Sequence, residues 1–188
     1  MTSREARDFS AIARLRRFER GQPWRSRLWG VGSLLFRWSP ASSHGWRRWL
    51  LRRFGASIGS DVRIDPSVQI SRPWNLSIGD RTSVQHEAVL DSIGSIRIGA
   101  DVMVSQYANL CAGDHDYQDL HMDVLAAPIE IGDRAWIAAD AFVGPNTRIG
   151  EGALVAARSS AFGDLPANQV CIGEPARPRK SRESLAEI

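Results

Sequence analysis

The sequence predicts an all-β fold, a parallel β-helix preceded by an α-helical extension, and three observations carry that expectation. From Ile58 an aliphatic residue returns at every sixth position: Ile58, Ile64, Ile70; Ile78, Val84, Leu90; Ile98, Val104, Leu110; then Ile131, Ile137, Val143, Ile149, Val155. Ile, Val and Leu together make up about a fifth of the 188 residues, so a series filled at every phased position is far from chance even with three phase shifts between its blocks. Four residues after the anchor comes a small or β-branched residue, as at Val62, Val68, Thr82, Ala88, Val102, Ala108, Ala135, Ala141, Thr147, Ala153 and Ser159. Glycine follows the anchor at Gly59, Gly79, Gly99, Gly132, Gly144 and Gly150, which reads as tight corners with positive φ. A period of six is that of stacked β-coils, each supplying one inward aliphatic per short strand. An amphipathic helix would repeat at three and four residues instead.

The first element is the extension, residues 1–57. It carries 13 arginines against three acidic residues, whereas the remainder carries 11 basic and 18 acidic residues. The high pI therefore belongs to the N-terminal quarter. From about Ser10 to Phe54 the pattern reads as two amphipathic helices, broken near Ser39-Pro40 and at Ser43-His44-Gly45, and rich in tryptophan: Trp24, Trp29, Trp38, Trp46, Trp49. Two readings stand. A helical cap would cover the open end of the β-helix, as solenoid ends require. A surface-lying anchor would set its arginines against anionic headgroups and its tryptophans in the interface. Nucleic-acid binding fits the charge alone, and no recognition motif accompanies it.

The β-helix domain follows over residues 58–178, with two interruptions. Ser71-Arg72-Pro73-Trp74-Asn75 shifts the phase by two positions. The longer excursion, a protruding loop over residues 111–128, abandons the period and carries His, Asp and Tyr. A loop that leaves a rigid repeat in this way is where chemistry is expected. After Val155 the pattern fades, and a basic tail is expected over residues 179–188. Cys111 and Cys171 form no CxxC, and no secretory apolar region lies near Met1, which favours a reducing, cytoplasmic setting. The longest apolar stretch, Leu28 to Phe36, is too short and too interrupted to span a bilayer.

Several segments together resemble one family. They are Ser39-Pro40 and Trp46-Arg47 ahead of Phe54-Gly55-Ala56; Pro73-Trp74-Asn75-Leu76; Gly113-Asp114-His115-Asp116-Tyr117; Ile131-Gly132 followed by Trp136-Ile137; and Gly173-Glu174-Pro175-Ala176-Arg177. In this order they are similar to the hexapeptide-repeat acyltransferases with a left-handed β-helix, on the branch of colanic-acid-biosynthesis and maltose or galactoside O-acetyltransferases. The resemblance implies left-handed coiling, a homotrimer, and transfer of an acetyl group from acetyl-CoA to a sugar hydroxyl in a ternary complex. Surface polysaccharide biosynthesis is the implied setting.

Site residues are carried over position by position. His115 matches the family's general base, and a positioned base is worth about 10²–10⁴-fold in rate. Acceptor-side candidates are His86, which reads equally as a surface strand residue, Asp91, whose local spacing differs by one residue, and Asn109, Asp116 and Tyr117. On the CoA side stand Trp136, Ala139 and Ala157, where small residues let an extended ligand approach the backbone. Arg158, Pro175, Arg177 and Lys180 complete that side, with Arg and Lys set to pair with phosphates. No metal is expected.

Alternatives remain open at this point. An N-acetyltransferase on an amino sugar would use the same base. A γ-type zinc carbonic anhydrase would need three histidines, and His86, His115 and His121 stand in suitable order, although the last pair is one residue too far apart. A non-catalytic, membrane-associated scaffold would use the Trp-rich segment alone.

Overall fold

A computed structural model describes Arg16–Arg17 and residues 23–118 and 120–182. Helix α1 spans Pro23–Arg37 and α2 spans His44–Arg53. The expected helical start at Ser10 is not seen at Arg16–Arg17, which is extended; the rest of that stretch before residue 23 lies outside the described residues.

From Ser57 the chain coils into a prism whose three faces stack six, six and five parallel strands, the second face being extended by one antiparallel strand at its C-terminal end. The first face stacks Ser57–Ile58, Leu76–Ile78, Ile96–Ile98, Ile129–Ile131, Thr147–Ile149 and Asp164–Leu165. The second begins at Arg63–Ile64 and runs through Ser83–Val84, Met103–Val104, Trp136–Ile137 and Leu154–Val155 to Gln169–Gly173. The third holds Gln69–Ile70, Val89–Asp91, Asn109–Cys111, Phe142–Val143 and Ser160–Ala161. Anchors stack on anchors in register, Ile58 on Ile78, Ile131 on Ile149, Leu90 on Leu110. Every residue of the predicted series is buried, and so are the small residues four positions on. The core continues beyond the point where the spacing fades, through Ala161, Leu165 and Cys171.

The glycines after the anchors have a different cause from the one expected. Positive φ in the repeats falls mostly on other residues, such as Asp61, Arg81, Asp101 and Arg134, three positions after the anchor. What the glycines supply is the missing Cβ. At Gly79 a Cβ would lie 2.6 Å from the backbone nitrogen of Ala100 in the next coil. Close stacking of coils, not left-handed backbone, selects glycine there.

A solenoid leaves an edge of unpaired carbonyls on its first coil, and such an edge demands donors. The helices supply them. Arg47 Nε donates to Ile64 O at 2.7 Å, and Arg48 Nη1 to Val62 O at 3.0 Å. Arg52 donates to Ile58 O and Gly59 O, and Trp29 Nε1 donates to Ile70 O at 2.6 Å. Trp29, Phe36, Leu50 and Leu51 join the buried core beneath these bonds. Part of the arginine and tryptophan richness therefore has a structural cause: acceptor carbonyls at the end of a β-helix.

The excursion after Cys111 is more ordered than a loop. Gly113–His115 pairs antiparallel with Val124–Ala126, and Arg16–Arg17 adds a third strand on the far side of Val124–Ala126. At the other end Ala176–Ser181 folds back antiparallel on Gln169–Gly173, and Arg182 donates to the carbonyls of Arg134 and Gly152. Residues 179–182 are thus tied to the prism rather than forming a free tail; residues 183–188 lie outside the described residues. No helix among the described residues is long and apolar enough to cross a membrane.

Candidate active site

His115 ends the first strand of the excursion, exposed at its tip. Its backbone N–H donates to Asp114 Oδ1 at 2.8 Å. Its ring Nδ1 lies 2.7 Å from Met122 O. A carbonyl only accepts, so this contact requires a proton on Nδ1, and the neutral ring then presents the Nε2 lone pair outward. Asp114 and Asp116 flank His115 in the sequence, but neither carboxylate sets its ring. The ring is set by the main-chain carbonyl of Met122, in the connection just before the returning strand, at a residue with φ of 45°. Asp116 is occupied elsewhere: its Oδ1 accepts the Gln118 N–H, and its own N–H donates to Asp123 O. Nothing in the sequence marks Met122, since its part is played by backbone.

The third face delivers two of the acceptor-side candidates near the root of this hairpin. Asp91 stands in register beside Cys111, whose Sγ approaches its carboxylate at 3.9 Å and the Gly113 carbonyl at 3.2 Å. Burial pushes the Cys111 thiol up, the Gly113 contact opposes this, and the charges of Asp91 and Asp114 add to the rise. It therefore stays a protonated thiol at neutral pH. Asn109, on the same strand, has a buried Oδ1 with no hydrogen-bond partner among the described residues. Buried acceptors of that kind are uncommon and call for a donor. Tyr117 is exposed in the hairpin turn.

The CoA-side candidates gather on a different edge. The corner between the second and third faces is a ladder of turns in which Glu87, Tyr107, Asp140 and Arg158 all take positive φ. Ala139 and Ala157 stand on it in successive coils, and the Arg158 N–H donates to Ala139 O. Arg158 is turned sideways onto Asp140, at 3.2 Å. Trp136 lies between Met103 and Leu154, its Nε1 donating to Ser105 Oγ at 2.9 Å. Pro175, Arg177 and Lys180 belong to the exposed C-terminal hairpin. His86 also sits on this ladder, edge-on to Tyr107 with ring centroids 5.1 Å apart. His86 thus sits in a turn before a third-face strand, whereas His115 lies in the excursion after one. His121 stays in the excursion with His115, and among the described residues no three His, Cys, Asp or Glu side chains are placed to hold a metal ion together.

No family model matches the chain. Individual relatives do. It is 45% identical over 170 residues to the Escherichia coli (strain K12) protein named as colanic acid biosynthesis acetyltransferase WcaF, across 90% of this chain and 93% of that one. Among solved structures, a galactoside acetyltransferase in complex with coenzyme A matches with a TM-score of 0.80 at 22% identity, covering 88% of this chain and 84% of that one. A hexapeptide-repeat-containing acetyltransferase from Vibrio cholerae O1 biovar eltor, complexed with acetyl-CoA, gives 0.78 at 24% identity, covering 86% and 88%. These two structural likenesses speak to the fold, and the first relative speaks to kinship. Identity of that depth over nine-tenths of the length, on the same coiled scaffold, means that the chain belongs to the hexapeptide-repeat acetyltransferases.

Proposed function

We propose that the chain acetylates a hydroxyl of a saccharide destined for a surface polysaccharide, with His115 as general base. The observation that carries this is the bond between His115 Nδ1 and the Met122 carbonyl, because it leaves Nε2 free to take a proton. In the step, Nε2 removes the acceptor hydroxyl proton as the oxygen bonds to the thioester carbonyl carbon. The C–S bond then breaks, and the departing thiolate takes the proton back from the imidazolium. Transfer is direct, within a ternary complex. The one thiol near the hairpin root, Cys111, is held protonated and is a poor nucleophile for a covalent acyl step. The buried Asn109 Oδ1 supports an acceptor with hydroxyl donors, and Asp91, Tyr117 and Asp116 would stand around it.

Acetyl-CoA would lie along the corner of Ala139 and Ala157, beside Trp136, with His86 on the same ladder. Arg158, Arg177 and Lys180 would meet its phosphates near Pro175. That corner precedes the strands of the third face, and the His115 hairpin follows Asn109–Cys111, which supports a site shared between copies. In a homotrimer the hairpin of one copy would meet the donor corner of the next. The two free cysteines suit a reducing, cytoplasmic setting.

The test is thiol release from acetyl-CoA across a panel of sugars and amino sugars, with His115→Ala run beside the wild type. Release should depend on a hydroxyl acceptor and fall by about 10²–10⁴-fold in the variant. Release that no sugar stimulates, or that survives the substitution, would sink the proposal. Preference for an amino sugar would reassign the acceptor to an amine.

A further inference from the structure

Helix α1 carries two apolar faces. The inner one holds Trp29 and Phe36, with Gly32 packed under the Phe54 ring, and Arg25 lies over Trp74 at 4.9 Å. The outer one is Trp24, Leu28, Val31, Leu35 and Trp38, a spacing of four and three that lines up one stripe along about 22 Å of helix. These side chains are 58%, 54%, 62%, 55% and 85% exposed, and Leu34 beside them is 58% exposed. A contiguous apolar stripe of this size on a water-soluble face marks an interaction surface. On α2, Trp46 and Trp49 are also exposed, their rings stacked with centroids 5.0 Å apart.

The charges say what the stripe meets. Arg47, Arg48 and Arg52 are used on the first coil's carbonyls, and Arg25 on Trp74. Arg27, Arg37 and Arg53 remain exposed, with no ion pair or hydrogen bond among the described residues. Between Glu19 and Asp61 the chain has no acidic residue at all. Pairing this face with the same face of a second copy would set arginine against arginine without a counter-charge. An anionic lipid surface supplies that counter-charge and accepts the apolar stripe, with a tryptophan at each end of the helix at headgroup level. We propose that the outer face of α1 lies in the interface of an anionic phospholipid membrane, holding the enzyme there peripherally. The inference stands apart from the acetyl-transfer reading, because its readout is lipid binding and not catalysis.

The experiment is co-sedimentation of the full chain with vesicles of phosphatidylcholine, with and without phosphatidylglycerol, alongside tryptophan emission. Binding should require the anionic lipid, weaken with salt, and shift emission to the blue. The Leu28→Ser/Val31→Ser/Leu35→Ser variant should lose at least about tenfold in binding. Arg27→Gln/Arg37→Gln should lose about fivefold per arginine. Both should keep wild-type acetyl transfer to a soluble acceptor. Should the serine variant fail to fold by circular dichroism, the arginine pair carries the test alone. Absence of binding, equal binding to both vesicles, or full binding by the variants overturns the proposal. Dissociation of the oligomer by the serine changes, seen in sedimentation velocity, also overturns it and assigns the stripe to a second copy.

Discussion

Replacing Arg47 tests whether the helical segment is bonded to the β-helix or merely rests on it. The guanidinium is fully buried and makes five contacts. They run to Ile64 O at 2.7 Å, Ser39 Oγ at 2.8 Å, Pro40 O at 2.8 Å, Ala41 O at 2.6 Å and His44 Nδ1 at 2.9 Å. Burial pushes its pKa down and the Asp65 charge pulls it back up, but a guanidinium stays charged throughout. Arg47→Met keeps the length and removes every donor. Pro40 and Ala41 are exposed, so water can replace the bonds to their carbonyls. Ile64 O, Ser39 Oγ and His44 Nδ1 are less accessible. A proton on His44 Nδ1 can serve Ile64 O at 3.3 Å, and Ser39 Oγ keeps its bond to Phe36 O. The loss is therefore that of the buried charge-assisted bonds, each worth about 1–3 kcal/mol. Relief of the arginine's own desolvation offsets part of this, leaving a net loss of about 3 kcal/mol. For a chain of this size that lowers Tm by about 6–12 °C. Arg47→Lys offers three donors from one atom and should fall between. The assay is thermal unfolding by circular dichroism at one fixed protein concentration, since an oligomer's Tm depends on concentration. An Arg47→Met protein melting within about 2 °C of wild type would refute the reasoning, as would a lysine variant indistinguishable from wild type.

Gly79→Ala should destabilise by about 1–3 kcal/mol or more, because its Cβ would meet the backbone of the next coil; Gly30→Ala, on α1 with open space around it, should stabilise by up to about 1 kcal/mol, and paired melts check both signs. Burial works against ionisation of Asp65, yet the hydroxyl and N–H of Ser67, with the charges of His86 and Arg47, hold its carboxyl below the ordinary value. A depressed carboxylate stabilises the fold above its unfolded pKa, and that stability is lost as pH falls below about 4. Asp65→Asn should therefore shrink the difference in Tm between neutral and acid pH, and an unchanged difference would remove Asp65 from that account.

The sequence by itself determined the coil. A six-residue period places one aliphatic per strand inside whatever the rest of the chain does, and Ile58, Val104 and Val155 were legible as core for that reason. The His115 segment was legible too, because it breaks a period that is otherwise kept. The tertiary structure decided what depends on neighbours distant in sequence. Glycine after the anchor was misread as a demand of local φ, when the constraint is the backbone of a coil some twenty residues away. The arginines of α1 and α2 looked like one undivided charge, and only the exposed carbonyl edge of the first coil separates Arg47, Arg48 and Arg52 from Arg27, Arg37 and Arg53. His115 was visible as a residue, but its tautomer was not. That is set by the Met122 carbonyl, a backbone group every residue possesses, and only the fold of the hairpin decides which carbonyl arrives there.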